Sequence, residues 1–168
     1  MNPMSFYVII RGPLGCGKST LSEKVAEAIN AEYVAMDRIV DDPQLITPEK
    51  EQGYISQKTF IEANEIAVGR VAKLLEKGTP VVFDGNFYWR SQIEDLISRL
   101  DFPHYVFTLK APMEVCIQRD AHRNKTHGET AALVVYQKST EFDYGTLIDV
   151  TKPLQNCLDE IISDLPKL

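Results

Sequence analysis

One eight-residue segment limits what this chain can become. Gly12-Pro13-Leu14-Gly15-Cys16-Gly17-Lys18-Ser19, followed by Thr20, fits the spacing G-x-x-x-x-G-K-S/T. Its glycines let the backbone wrap with N–H groups pointing inward. The positive end of a following helix adds to that field, so such a loop holds phosphate oxygens. Lys18 can reach the β- and γ-phosphates of a nucleoside triphosphate, and the Ser19 hydroxyl can ligate Mg²⁺. The flanks agree with this reading. Ser5–Arg11 is a continuous β-branched and aromatic run, the pattern of a strand buried on both faces. From Lys18 to Asn30 the pattern turns helical, with Leu21, Val25, Ala28 and Ile29 on one stripe.

The rest of the chain repeats the alternation. Strands are expected at Glu32–Met36, Pro80–Phe83, His104–Leu109 and Thr146–Val150. Residues 40–48 read as a loop, with Thr47 and Pro48 as N-cap and first residue of a long helical region, broken at most once, that runs to about Lys77. Its inward face is Phe60, Ala63, Ala67, Val71, Leu74 and Leu75. Further helices are expected at Arg90–Leu100, from Pro112 onward, at Thr130–Phe142 and at Pro153–Leu165, with Asn124–Glu129 a polar loop. Strands that alternate with helices imply βαβ units. The expected fold is therefore α/β, a five-stranded parallel sheet with helices on both faces.

Composition narrows the function classes. A chain of 168 residues is expected to be one domain, 1–168, without repeats or linkers. Its 24 acidic residues outnumber 18 basic ones, for a net charge of −6, which argues against a general nucleic-acid coat. The three cysteines, Cys16, Cys116 and Cys157, are scattered and odd in number. That suggests neither a zinc site nor a disulfide framework, and fits a reducing compartment. No stretch approaches the ~20 apolar residues of a membrane span, and the early apolar run is short for a signal core. A cytoplasmic location is expected.

On the phosphate loop and the order of these elements, the chain resembles the small P-loop kinases. That group contains adenylate, shikimate and gluconate kinases, chloramphenicol phosphotransferase, zeta-toxin kinases and polynucleotide kinase. The resemblance runs from Ser5 to about Leu165 and implies ATP and Mg²⁺ as cofactors. It implies that Gly12, Pro13, Leu14, Gly15, Cys16, Gly17, Lys18, Ser19 and Thr20 hold the nucleotide phosphates. Asp37, after the second strand, would contact the acceptor hydroxyl as base or positioner, with Arg38 steadying phosphate or acceptor. Asp84 closes Val81-Val82-Phe83-Asp84-Gly85 like a Walker B carboxylate and would serve Mg²⁺ or the acceptor. Nucleotide kinases follow Asp-Gly closely with an arginine. Here Asn86, Phe87, Tyr88 and Trp89 intervene before Arg90, a departure from that pattern; the resemblance still implies that Arg90 would contact the acceptor or a phosphate. Arg119 and Arg123, four apart on one helix face, resemble the paired arginines that flank a lid. One would stack on adenine and the other would reach the transferring phosphoryl group. The lid would be short, about 119–130, and the acceptor region about 37–60.

Several readings stay open at this point. Phe87-Tyr88-Trp89 suits either an acceptor wall or core packing. His122 and His127 read as solvated, and Cys16 as a small residue of the loop. The segment after Asp37 holds Asp41, Asp42, Glu49 and Glu51 against Arg38 and Lys50, and the chain has only seven arginines. A nucleoside monophosphate would call for several of them. A small neutral or cationic hydroxyl compound such as a sugar, nucleoside or antibiotic is therefore the expected acceptor. A nucleoside monophosphate or polynucleotide 5′-hydroxyl kinase is the alternative, and a non-catalytic nucleotide-binding regulator is a further one. A monomer or homodimer is expected, with no membrane or nucleic-acid partner.

Overall fold

The computed structural model describes residues 5–122 and 129–167. The chain runs β1 (Tyr7–Arg11), α1 (Lys18–Ala28), β2 (Glu32–Ala35), α2 (Met36–Val40), β3 (Lys50–Glu51), β4 (Tyr54–Ile55) and α3 (Gln57–Glu76). It continues through β5 (Val81–Gly85), α4 (Arg90–Arg99), β6 (His104–Lys110), α5 (Met113–Ala121), α6 (Glu129–Ser139), β7 (Thr146–Asp149) and α7 (Leu154–Asp164). Five strands form one parallel sheet in the order β2-β5-β1-β6-β7. The chain leaves the central β1 toward one edge and later returns to the other side. That reversal opens a crevice at the carboxyl end of β1, where ligands of such sheets bind.

The strands are buried on both faces, which is why they read as unbroken apolar runs. Tyr7 and Ile9 pack under α2, α3 and α4, against Met36, Phe60, Ala63, Val71, Ile93 and Leu96. Phe6, Val8 and Ile10 face the opposite layer, against Leu21 and Val25 of α1, Cys116 of α5 and Cys157 and Ile161 of α7. Each large side chain buried in this way contributes roughly 1.5–3 kcal/mol. Among the described residues, no helix is long and apolar enough to cross a membrane.

The expected helix start at Thr47-Pro48 is corrected. Residues 50–55 form an antiparallel hairpin, with Glu51 opposite Tyr54. Gln52 (φ 53) and Gly53 (φ 82) both take the left-handed turn that suits the twist of a two-residue hairpin. Helix α3 starts only at Gln57. The Ser56 hydroxyl accepts the Thr59 N–H, and Glu51 accepts both the Gln57 backbone N–H and its side-chain amide. Residues 36–40, expected at a strand end and loop, form the short helix α2.

Arg11 binds the sheet edge together. It is fully buried and donates to the carbonyls of Phe87, Ser139 and Phe142 at 3.1, 2.9 and 3.2 Å, and to Thr108 Oγ1 at 3.1 Å. Its guanidinium lies 4.3 Å from the centre of the Phe142 ring. Burial pulls its pKa down to about 10. Arg11→Met leaves these acceptors without their donor in a dry setting. A loss of about 3–5 kcal/mol is expected, read as a Tm lower by roughly 10 °C in thermal unfolding.

Candidate active site

The phosphate loop lies between β1 and α1. Gly15 has φ +77, and a Cβ there would stand 2.0 Å from the carbonyl oxygen of Cys116, so α5 lies directly against the loop. Gly17, at φ 85, caps α1 without any side-chain hydrogen bond. The first-turn N–H groups of α1 therefore keep their direction toward the loop. Lys18 opens the helix and is 6% exposed, while Ser19 and Thr20 are exposed. Cys16 is buried, so its side chain fills space rather than meeting solvent.

Behind the loop, β2 and β5 bring three polar groups together. Asp84 is 4% exposed, paired in register with Ala35 of β2 and Ile10 of β1. The Tyr33 hydroxyl donates to Asp84 Oδ2 and is also hydrogen-bonded to Ser19. Burial, then the Asp84 carboxylate, push the Tyr33 pKa well up, so the phenol keeps its proton. The other oxygen, Asp84 Oδ1, is buried with no hydrogen-bond partner among the described residues. A buried, unpaired carboxylate oxygen close to a hydroxyl that can ligate metal fits a Mg²⁺ ion with its bound water.

Two cavities flank the loop. The larger, of about 360 Å³, is lined by Leu14, Lys18 and Ser19, by Asp37, Val40 and Asp41 of the α2 region, by Ile55 and Phe60, by Asn86 and Tyr88, and by Ala131 and Val135 of α6. Asp37 is partly exposed at its wall and accepts a hydrogen bond from the Asn86 backbone N–H. Burial raises the pKa of its carboxyl. The Lys18 ammonium works against that rise, and the Asp84 and Asp41 carboxylates add to it.

The aromatic run divides its work. Phe87, in the left-handed region at φ 44 and fully buried, goes into the core and offers its carbonyl to Arg11. That turn sends Tyr88 to the cavity wall. Tyr88 Oη accepts the Ile55 N–H at 3.1 Å, and Trp89 Nε1 donates to the Ile55 carbonyl at 2.8 Å. Both sides of one hairpin residue are thus held. Lys138 of α6 is 5% exposed and sits 3.8 Å over the Trp89 ring, paired with Glu141 at 2.8 Å. It pins the helix that supplies Ala131 and Val135.

The smaller cavity, of about 220 Å³, lies on the other side of the loop, between Gly17, Thr20 and Leu21 and the segment around Val150, Lys152 and Leu154. Arg119 forms one wall. It donates to the carbonyls of Cys16 at 3.4 Å and Val150 at 3.1 Å. Its guanidinium plane is thereby fixed beside apolar side chains.

The structure therefore brings Lys18, Ser19 and Asp37 to one cavity and Arg119 to the other, with Asp84 behind the loop. It does not bring Arg38 or Arg90 to the Asp37 cavity. Arg38 follows Asp37 on a helix and points into solvent. Arg90 is exposed and lies over the rings of Phe142 and Tyr144. Arg123, His127 and the middle half of the expected lid, residues 123–128, fall outside the described residues. Sequence reasoning missed Tyr33 and Asn86, and placed Asp41 only among the acidic residues of the acceptor region. Tyr33 was available from strand alternation, since it shares a face with Ala35, the neighbour of Asp84. Asn86 carried no signal beyond its place after Asp84-Gly85.

Comparisons with known proteins bear on the family and the fold. The sequence profile of the AAA domain family matches residues 8–141. A curated relative, the bifunctional ribose 1,5-bisphosphokinase-thymidine phosphorylase of Cupriavidus necator, is 28% identical over 144 residues. That alignment covers 76% of this chain, which spans 23% of the relative's length. Among solved structures, a gluconokinase from Sinorhizobium meliloti superposes with a TM-score of 0.73 at 20% identity, over 96% of this chain and 91% of that one. A sugar kinase from a Janibacter species gives 0.77 at 17% identity, over 96% and 94%. These two likenesses establish the fold.

Proposed function

Because the chain belongs to the AAA domain family, we propose that it is an ATP- and Mg²⁺-dependent phosphotransferase acting on a hydroxyl of a small, sugar-like molecule. The observation that carries this reading is the pair of cavities on either side of one phosphate loop. One suits a nucleobase beside Arg119, and the other suits an acceptor beside Asp37, with the triphosphate between them. The names of the relatives, a ribose 1,5-bisphosphokinase, a gluconokinase and a sugar kinase, support a sugar-like acceptor.

The proposed roles follow from the chemistry of each group. Loop residues 12–20 bind the phosphates through backbone N–H groups. Lys18 holds the β- and γ-phosphates and offsets charge on the phosphoryl group as it moves. Mg²⁺, when bound, neutralises and orients phosphate oxygens, and Ser19 and Asp84 are the residues that would hold it. Tyr33 keeps Ser19 and Asp84 in a fixed relation. Asp37 orients the acceptor hydroxyl and takes its proton, a task that fits a carboxylate with a raised pKa. Arg123 is retained as the lid cation, and a monomer or homodimer in the cytoplasm as the working form.

Release of ADP from ATP–Mg²⁺ against pooled sugars, nucleosides, nucleoside monophosphates, aminoglycosides and a 5′-hydroxyl oligonucleotide tests the reading. At least one small-molecule pool is expected to raise turnover well above the ATP-only rate. Bound ATP with no pool stimulating turnover would contradict it and leave a nucleotide-binding regulator.

A further inference from the structure

We propose that the acceptor carries no phosphate or carboxylate group. The site takes a neutral or ammonium-bearing polyhydroxyl compound, and Asp41 enforces that choice. The inference rests on the phosphotransfer reading above and narrows its acceptor.

Apart from Lys18, the charged residues that line the larger cavity are of one sign. Beyond Lys18 and Ser19, which serve the nucleotide, its described polar residues are Asp37, Asp41, Asn86 and Tyr88. The Tyr88 oxygen is engaged by the Ile55 N–H. The Asn86 side-chain carbonyl is buried and has no hydrogen-bond partner among the described residues. Asp37 and Asp41 stand four residues apart at α2 and its C-cap, so they share one face. Asp37, Asp41 and the Asn86 carbonyl are hydrogen-bond acceptors at this wall, while Tyr88, whose oxygen accepts the Ile55 N–H, keeps its O–H as a donor. A hydroxyl donates and an ammonium group donates with charge. A phosphate or carboxylate at neutral pH only accepts, and it brings like charge against two carboxylates.

No arginine lines this cavity among the described residues. Arg38 faces solvent beside it, and Arg90 is spent on Phe142 and Tyr144. The apolar lining, Val40, Ile55, Phe60, Ala131 and Val135, suits the C–H face of a ring. Among the described residues, an anion placed here would meet two carboxylates and no cation besides Lys18, which serves the nucleotide.

Matched acceptors decide the point: glucose and glucosamine against gluconate, ribose against ribose 5-phosphate, and a nucleoside against its monophosphate. All are assayed with ATP–Mg²⁺ by acceptor-dependent ADP release. The uncharged or amine-bearing member is expected to exceed its anionic twin in kcat/KM by about a hundredfold. Asp41→Asn lies at an exposed helix end, so folding is expected to be intact and Tm unchanged. In that variant the preference shrinks by about tenfold, with the larger loss on the amine. A preferred anionic twin, or a preference unaltered by Asp41→Asn, overturns the inference while the phosphotransferase reading stands. If no pair is turned over although ATP–Mg²⁺ changes the fluorescence of Trp89, the sole tryptophan, both readings fail together.

Discussion

Lys18→Ala lowers kcat for acceptor phosphorylation by about a thousandfold in our account, with the fold unchanged. The size follows from position. Lys18 is nearly buried at the first residue of α1 and lines the acceptor-side cavity. Removing one fixed positive group from a site where negative charge develops costs about 10²–10³ in rate, and the γ-phosphoryl transition state spreads charge over three oxygens. Alanine is the best helix former, so α1 is kept. There is a second consequence. Lys18 holds the Asp37 pKa down against burial, so its loss lets that pKa rise further. Any residual activity of the variant is expected to have its acid limb at higher pH than the wild type. Steady-state assays across pH, beside circular dichroism melts, check both parts.

Asp37→Asn is expected to lose activity and gain stability. A positioned base contributes about 10²–10⁴ in rate, and a loss of at least about a hundredfold is expected here. The pH dependence has a definite sign. Burial raises the folded-state pKa of Asp37 above its ordinary value of 3.8. Activity that needs the ionised carboxylate therefore falls as pH drops through that raised value, and the acid limb of kcat/KM lies above the ordinary carboxylate range. Stability moves the other way. Between the ordinary and the raised pKa the unfolded chain has released this proton and the folded chain has kept it, so stability declines as pH rises through that window. The penalty persists at pH 7. Asparagine removes it, with a gain on the order of 1 kcal/mol, or about 2–4 °C in Tm. The melting curves of variant and wild type converge at low pH. A variant that is inactive and also less stable at pH 7 would contradict this account of Asp37.

Much of this was legible because it depends on local chemistry. Strands buried on both faces announce themselves as apolar runs, and the phosphate loop fixes its own neighbours, so β1, α1 and the carboxyl-edge placement of Asp37 and Asp84 follow from spacing alone. The hairpin was lost for a local reason as well. Gln52-Gly53 is a weak turn signal, since glutamine seldom takes a positive φ, and Thr47-Pro48 imitates a helix start. The remaining features depend on contacts between distant segments. Arg11 is buried because residues 87, 108, 139 and 142 supply its acceptors. Tyr33 meets Asp84 only through the β2–β5 register. Arg90 leaves the site because Phe142 and Tyr144 offer it their rings. No window of sequence contains these partners together.

The most direct test is the fate of label from ATP carrying ³²P at the γ-position, incubated with Mg²⁺ and an active acceptor pool, wild type beside Lys18→Ala. The account predicts label recovered in a phosphate monoester of the acceptor by the wild type alone. Label found only in inorganic phosphate, or transferred equally by both proteins, would contradict it.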